Sequence, residues 1–163
     1  MRNPKILVAY YSRTGTTKQV AEAISAALGC DVEEIEDTRN RRGILGYLRA
    51  AFDAGSRRLT TLKPTRYDPA RYDLVVVGTP IWNMSLSPPI RTYLTMHKGR
   101  LKNVAFFCTY GGSGGQRAFK QMADAGGIAP LDLFGISEAE VKRGEHKTRV
   151  QHFLANLAGA HAA

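Results

Sequence analysis

A chain of 163 residues with 44% apolar and 23% charged side chains can bury a core of its own, which excludes disordered and fibrous classes. No apolar run approaches the ~18–20 residues that a bilayer demands, so no membrane-spanning helix is expected. The formal net charge of +9 is concentrated, with Arg39, Arg41, Arg42, Arg49, Arg57, Arg58, Lys63, Arg66 and Arg71 standing against Asp53 and Asp68.

That basic stretch suits a solvated face, or else a docking face for an acidic partner, an anionic cofactor or a membrane. It lacks the interleaved aromatics and motifs of a nucleic-acid module, so nucleic acid is not expected as a partner. Cys30 and Cys108 have the spacing of neither a metal site nor a redox pair. No metal is expected, and a reduced, cytoplasmic setting follows. The opening MRNPKILVAYYSRTG meets polar residues after a short apolar run and carries no small-residue cleavage site, so it reads as a first strand rather than a signal peptide.

In chain order, residues 5–11 form an apolar strand, and residues 16–28 a helix with Val20, Ala23, Ile24, Ala27 and Leu28 on one face. Gly29 ends that helix. Residues 31–36 alternate as a second strand. Residues 37–71 make a basic insertion with a short amphipathic helix at 44–54. Residues 74–78 are a third strand, 89–97 a helix with proline in its first turn, and 104–109 a fourth strand. A helix at 116–124, a last strand at 131–134 and a last helix at 147–157 complete the chain. There is no repeat and no dividing linker, so residues 1–163 read as one domain.

Five strands alternating with helices imply an α/β fold, a parallel sheet covered on both faces by crossover helices. Ligands of such sheets sit beyond the carboxyl ends of the strands. Three loops in those places carry unusual chemistry. The first, SRTGTT, has more hydroxyls than one helix cap needs. Its glycine allows a tight turn, and the amides of residues 13–17 can converge at the positive end of a helix dipole, where phosphate binds well. A Walker loop would need Gly-Lys-Ser/Thr, a low-molecular-weight tyrosine phosphatase a cysteine, and a dinucleotide fold G-x-G-x-x-G; all are absent.

The second loop, TPIWNMSLSPPI, holds the only tryptophan, either a core anchor or a stacking platform for a flat ligand. The third, TYGGSGGQ, is nearly bare backbone and can approach a planar ring closely. Together they describe a pocket for a mononucleotide with a flat ring. His97, His146, His152 and His161 fall at helix ends or tails and read as structural, and Cys108 as a small buried side chain.

On the stretches YYSRTGTTKQVAEAI, VVVGTPIWNMSLSPPIRTYL and CTYGGSGGQ, in that order, the chain resembles the flavodoxin family in its short-chain form. The resemblance implies a three-layer flavodoxin-like fold with strand order 2-1-3-4-5, and non-covalent FMN as cofactor. It implies that Ser12, Arg13, Thr14, Gly15, Thr16 and Thr17 hold the phosphate. It places Thr79, Pro80, Ile81, Trp82, Asn83 and Met84 beside the ring, and Thr109, Tyr110, Gly111, Gly112 and Ser113 at its pyrimidine edge and ribityl side. No side chain is expected to be catalytic, since the flavin carries the redox chemistry.

Two departures bear on role. Soluble carriers of the family are typically acidic, whereas this chain is basic, and the insertion RRGILGYLRAAFDAG is closer to sequences of flavodoxin-like oxidoreductases. Three functions follow as expectations: an electron-transfer protein, an NAD(P)H-dependent FMN oxidoreductase of the quinone reductase type, or a non-catalytic FMN-binding docking or sensing module. The electron donor, the acceptor and the oligomeric state are not written in the sequence.

Overall fold

The first apolar run becomes strand β1 (Ile6–Tyr10), and its place in the middle of the sheet explains why it is apolar on both faces. β1 pairs in parallel with β2 (Asp31–Glu34) on one side and β3 (Leu74–Trp82) on the other, with Leu7 opposite both Asp31 and Val75. β3 pairs with β5 (Val104–Tyr110), and β5 with β6 (Leu133–Ser137), again in parallel. The parallel strands therefore run in the order β2-β1-β3-β5-β6, and a short β4 (Ser85–Leu86) pairs antiparallel with β3. The helices are α1 (Thr16–Leu28), α2 (Pro88–Met96), α3 (Gly115–Gly126), α4 (Glu138–Lys142) and α5 (His146–Ala162). The computed structural model describes residues 2–39, 45–46, 48 and 58–162, with the side chains of 161–162 left aside.

Alternation along the strands builds two cores, one on each face. Leu7, Ala9, Val75, Val77, Phe106 and Cys108 face α2 and α3, meeting Ile90, Tyr93, Leu94, Phe119 and Met122. Val8, Val76, Ala105, Phe107 and Ile136 face the other way, onto Val20 and Ile24 of α1 and Val150 and Phe153 of α5. This is the three-layer arrangement expected from the sequence, and its five parallel strands stand in the expected order.

Several boundaries differ from the sequence reading. β3 does not stop at Gly78 but continues to Trp82, so the first four residues of the expected second loop are strand. The last strand lies at Leu133–Ser137 rather than 131–134, because Gly135 interrupts the apolar run without ending it. The helix α4 that follows was not expected. It is nucleated by a capping box: Ser137 Oγ accepts from Glu140 N at 3.2 Å, and Glu140 Oε2 accepts from Ser137 N at 2.8 Å. Gly29 closes α1 as expected, in the left-handed region with φ 59°. The amphipathic helix expected at 44–54 lies largely outside the described residues.

Candidate functional site

The carboxyl ends of β1, β3 and β5 meet at the start of α1. There the chain leaves β1 through Tyr11, whose amide donates to Gly78 O at 3.2 Å. Ser12 Oγ then accepts from Gly15 N at 3.0 Å and from Lys18 N at 3.3 Å, stapling the loop into a single turn. Gly15 makes that turn with φ 99° and ψ −7°, a conformation costly for any residue with a Cβ.

Gly15 is also the residue before α1, so the cap position itself brings no side chain, and the first turn holds no acidic residue. The amides of Thr16 and Thr17 find no acceptor among the described residues. Uncapped amides at the positive end of a helix are an anion site in waiting.

The second segment is a β-hairpin. Trp82 pairs with Ser85 and Ile81 with Leu86, leaving Asn83 and Met84 as a two-residue turn with φ 46° and 59°. Two positive φ values in succession define the primed turn that suits the twist of a hairpin. The buried amide of Gln121 on α3 holds the returning strand: its Oε1 accepts from Leu86 N at 3.1 Å and its Nε2 donates to Ser85 Oγ at 3.2 Å. Trp82 is only 7% exposed and packs edge-on to Tyr11 at 5.4 Å between centroids. It belongs to the core and also lines the cleft, so the two readings of this residue are compatible.

The third segment leaves β5 at Thr109, whose hydroxyl lies 2.8 Å from that of Thr17. This buried pair ties the first segment to the third. Gly114, with φ 108°, brings the third segment against the hairpin turn; a Cβ there would stand 2.9 Å from Met84 Cα and 3.1 Å from Ile81 Cγ2.

Between the three segments lies a cleft of about 280 Å³ lined by Arg13, Thr14, Thr16, Thr17, Pro80, Ile81, Trp82, Thr109, Gly111 and Glu138. Nine of those ten belong to the set expected from the sequence. Ser12 and Gly15 shape the loop behind them. Thr79 is fully buried and turned inward, its hydroxyl 2.9 Å from Ser87 Oγ, so it fastens β3 to α2 rather than facing the cleft. Asn83 and Met84 form the hairpin tip, and Tyr110, Gly112 and Ser113 lie on the third segment outside the cleft lining.

Glu138 is the residue that the sequence reading missed. Its signal was the Ser137-x-x-Glu140 capping box directly after the last strand, masked by placing that strand too early. Cys108, beneath the third segment, is fully buried, and burial pushes its thiol up to about 12, which leaves it a packing residue. Among the described residues no cluster of His, Cys, Asp or Glu could hold a metal ion.

The flavodoxin family model matches residues 5–132. The chain belongs to the flavodoxin family. No curated protein matches it. Among solved structures, a candidate flavoprotein from Bacteroides uniformis is 26% identical with a TM-score of 0.76, over 92% of this chain and 99% of that one. A flavoprotein from Lactobacillus acidophilus, solved in complex with FMN, is 22% identical with a TM-score of 0.72, over 86% of this chain and 98% of that one. The general stress protein 14 of Treponema denticola, also solved with FMN, is 16% identical with a TM-score of 0.55, over 96% and 99% of the two chains. The two more distant likenesses concern the fold alone. No helix among the described residues is long and apolar enough to cross a membrane.

Proposed function

We propose that residues 1–163 form a single FMN-binding domain that transfers electrons between partners. One observation carries this reading: the uncapped start of α1, with its hydroxyls, faces the same cleft as the only tryptophan, at the carboxyl ends of three adjacent parallel strands. The residues present fit the group. Arg13, Thr14, Thr16 and Thr17 offer donors to a phosphate and no negative charge, and Ser12 and Gly15 hold the turn that aims them. Pro80, Ile81 and Trp82 offer a flat apolar wall, with Asn83 and Met84 at its tip and Thr79 anchoring its base. Thr109, Tyr110, Gly111, Gly112 and Ser113 offer backbone groups for the polar edge of the ring.

FMN, when bound, supplies one- and two-electron chemistry that no side chain here provides. The protein's part is to hold the phosphate, orient the ring and limit its contact with water. Family membership and the FMN complexes of two structural neighbours support the choice of cofactor.

The partner in this reading is acidic and docks near the basic segment 39–71, where charge complementarity would speed encounter. Both cysteines are free, which suits a reducing, cytoplasmic setting. Steady-state turnover of NADH or NADPH with a quinone separates the roles. A carrier gives negligible turnover until a reductase is added. Turnover by the protein alone would replace the carrier by an NAD(P)H-dependent oxidoreductase, and no redox cycling under either arrangement would leave a docking or sensing module.

A further inference from the structure

The cleft lining brings together two kinds of chemistry. Arg13, Thr14, Thr16 and Thr17 supply hydrogen-bond donors. The single carboxylate in the lining is Glu138, the first residue of α4. Glu138 is exposed, and among the described residues its carboxylate makes no hydrogen bond or ion pair. It takes no part in the cap of the helix it begins, because Ser137 and Glu140 complete the capping box between them and Arg149 Nη1 pairs with Glu140 at 2.5 Å. A lone carboxylate gains nothing from an anion-binding cleft as such; like charges repel. It gains where the ligand brings hydrogen-bond donors of its own, since a carboxylate is an acceptor only.

A flavin mononucleotide has that polarity. Its phosphate is all acceptor, and its ribityl chain carries hydroxyl donors beside it. We infer that Glu138 accepts hydrogen bonds from the ribityl hydroxyls and thereby selects flavins that carry the polyol, at a position supplied by a fourth strand end rather than by the three segments above. This rests on the flavin reading of the cleft. The role is one of positioning and specificity: Glu138 takes no part in electron transfer.

The experiment compares apo-protein titrated with FMN, riboflavin and lumiflavin (the ring with no ribityl chain), for the wild type, Glu138→Ala and Glu138→Gln. Loss of one charge-assisted bond predicts that Glu138→Ala binds FMN and riboflavin about tenfold more weakly while lumiflavin is unaffected. Glu138→Gln keeps an acceptor oxygen and should fall in between. Far-UV circular dichroism and thermal melts establish that each variant is folded. Equal losses for all three ligands, no loss for any, or a change confined to FMN would each overturn the assignment. Failure of the wild type to bind FMN would overturn the flavin reading itself, whereas FMN binding that ignores Glu138 overturns this inference alone.

Discussion

Gly114→Ala tests whether the third segment is wedged against the hairpin, and Gly15→Ala is its internal control. The two glycines share a backbone conformation, φ 108° and ψ 0° against φ 99° and ψ −7°. An L-residue in that region costs about 1–2 kcal/mol, and both variants bear it. They differ in surroundings. A Cβ at Gly15 meets nothing within 4 Å, whereas one at Gly114 meets Met84 Cα at 2.9 Å and Ile81 Cγ2 at 3.1 Å.

The Met84 atom is backbone of a turn whose φ is fixed at 59°, so it cannot step aside as a flexible side chain could. Overpacking of this kind adds about 1–3 kcal/mol. Urea denaturation of the flavin-free chains should therefore give a loss of about 1–2 kcal/mol for Gly15→Ala and about 2–5 kcal/mol for Gly114→Ala. If Gly114→Ala costs no more than Gly15→Ala, the hairpin and the third segment are not in rigid contact, and the cleft is not preformed as described.

Met84 sits at φ 59°, where a methionine bears about 1–2 kcal/mol of strain and glycine bears none. After the unfolded-state entropy of glycine, Met84→Gly should stabilise the chain by about 0.5–1 kcal/mol in the same denaturation assay, and a loss would refute the strained turn. Because Trp82 is the only tryptophan and lines the cleft, its emission should be quenched on adding FMN and recover when the flavin is removed. Identical emission in both states would make it a core anchor alone. His97 is 8% exposed and edge-on to Tyr93 at 4.8 Å; burial, then the nearby Arg100, hold its pKa below the usual 6.5. The unfolded chain therefore binds the proton more readily, so this stability is present above about pH 6.5 and is lost as pH falls from there toward the lowered folded value. The loss between pH 7.5 and 5 should be smaller in His97→Gln; an unchanged pH profile would refute it.

The parallel sheet was legible because its inner strands β1, β3 and β5 are apolar on both faces and are followed by polar or glycine-rich turns. Thr16–Leu28 was legible to the residue, since the apolar stripe begins after Gly15 and ends at Gly29. The hairpin was not. Its turn is Asn83-Met84, and only asparagine of that pair announces a positive φ; Met84 is driven there by pairing of Trp82 with Ser85. Thr79 was placed beside the ligand by the family resemblance, yet whether a hydroxyl at that point faces cleft or core depends on Ser87, eight residues on. Glu138 depended on where the last strand ends, and Gly135 obscured that by breaking the apolar pattern for the sake of close packing against the Tyr110 ring, whose Cε1 would lie 3.3 Å from a Cβ at that position.

The most direct measurement is the flavin itself. Purified protein, or apo-protein reconstituted with FMN, should be yellow and hold one FMN per chain, released on denaturation as FMN. Thr14→Asp sets a carboxylate in the cleft lining at the start of α1 and should weaken binding at least a hundredfold, about 3 kcal/mol, through like-charge repulsion. FAD in the extract, no flavin after reconstitution, or full FMN affinity in Thr14→Asp would contradict the phosphate site at the start of α1.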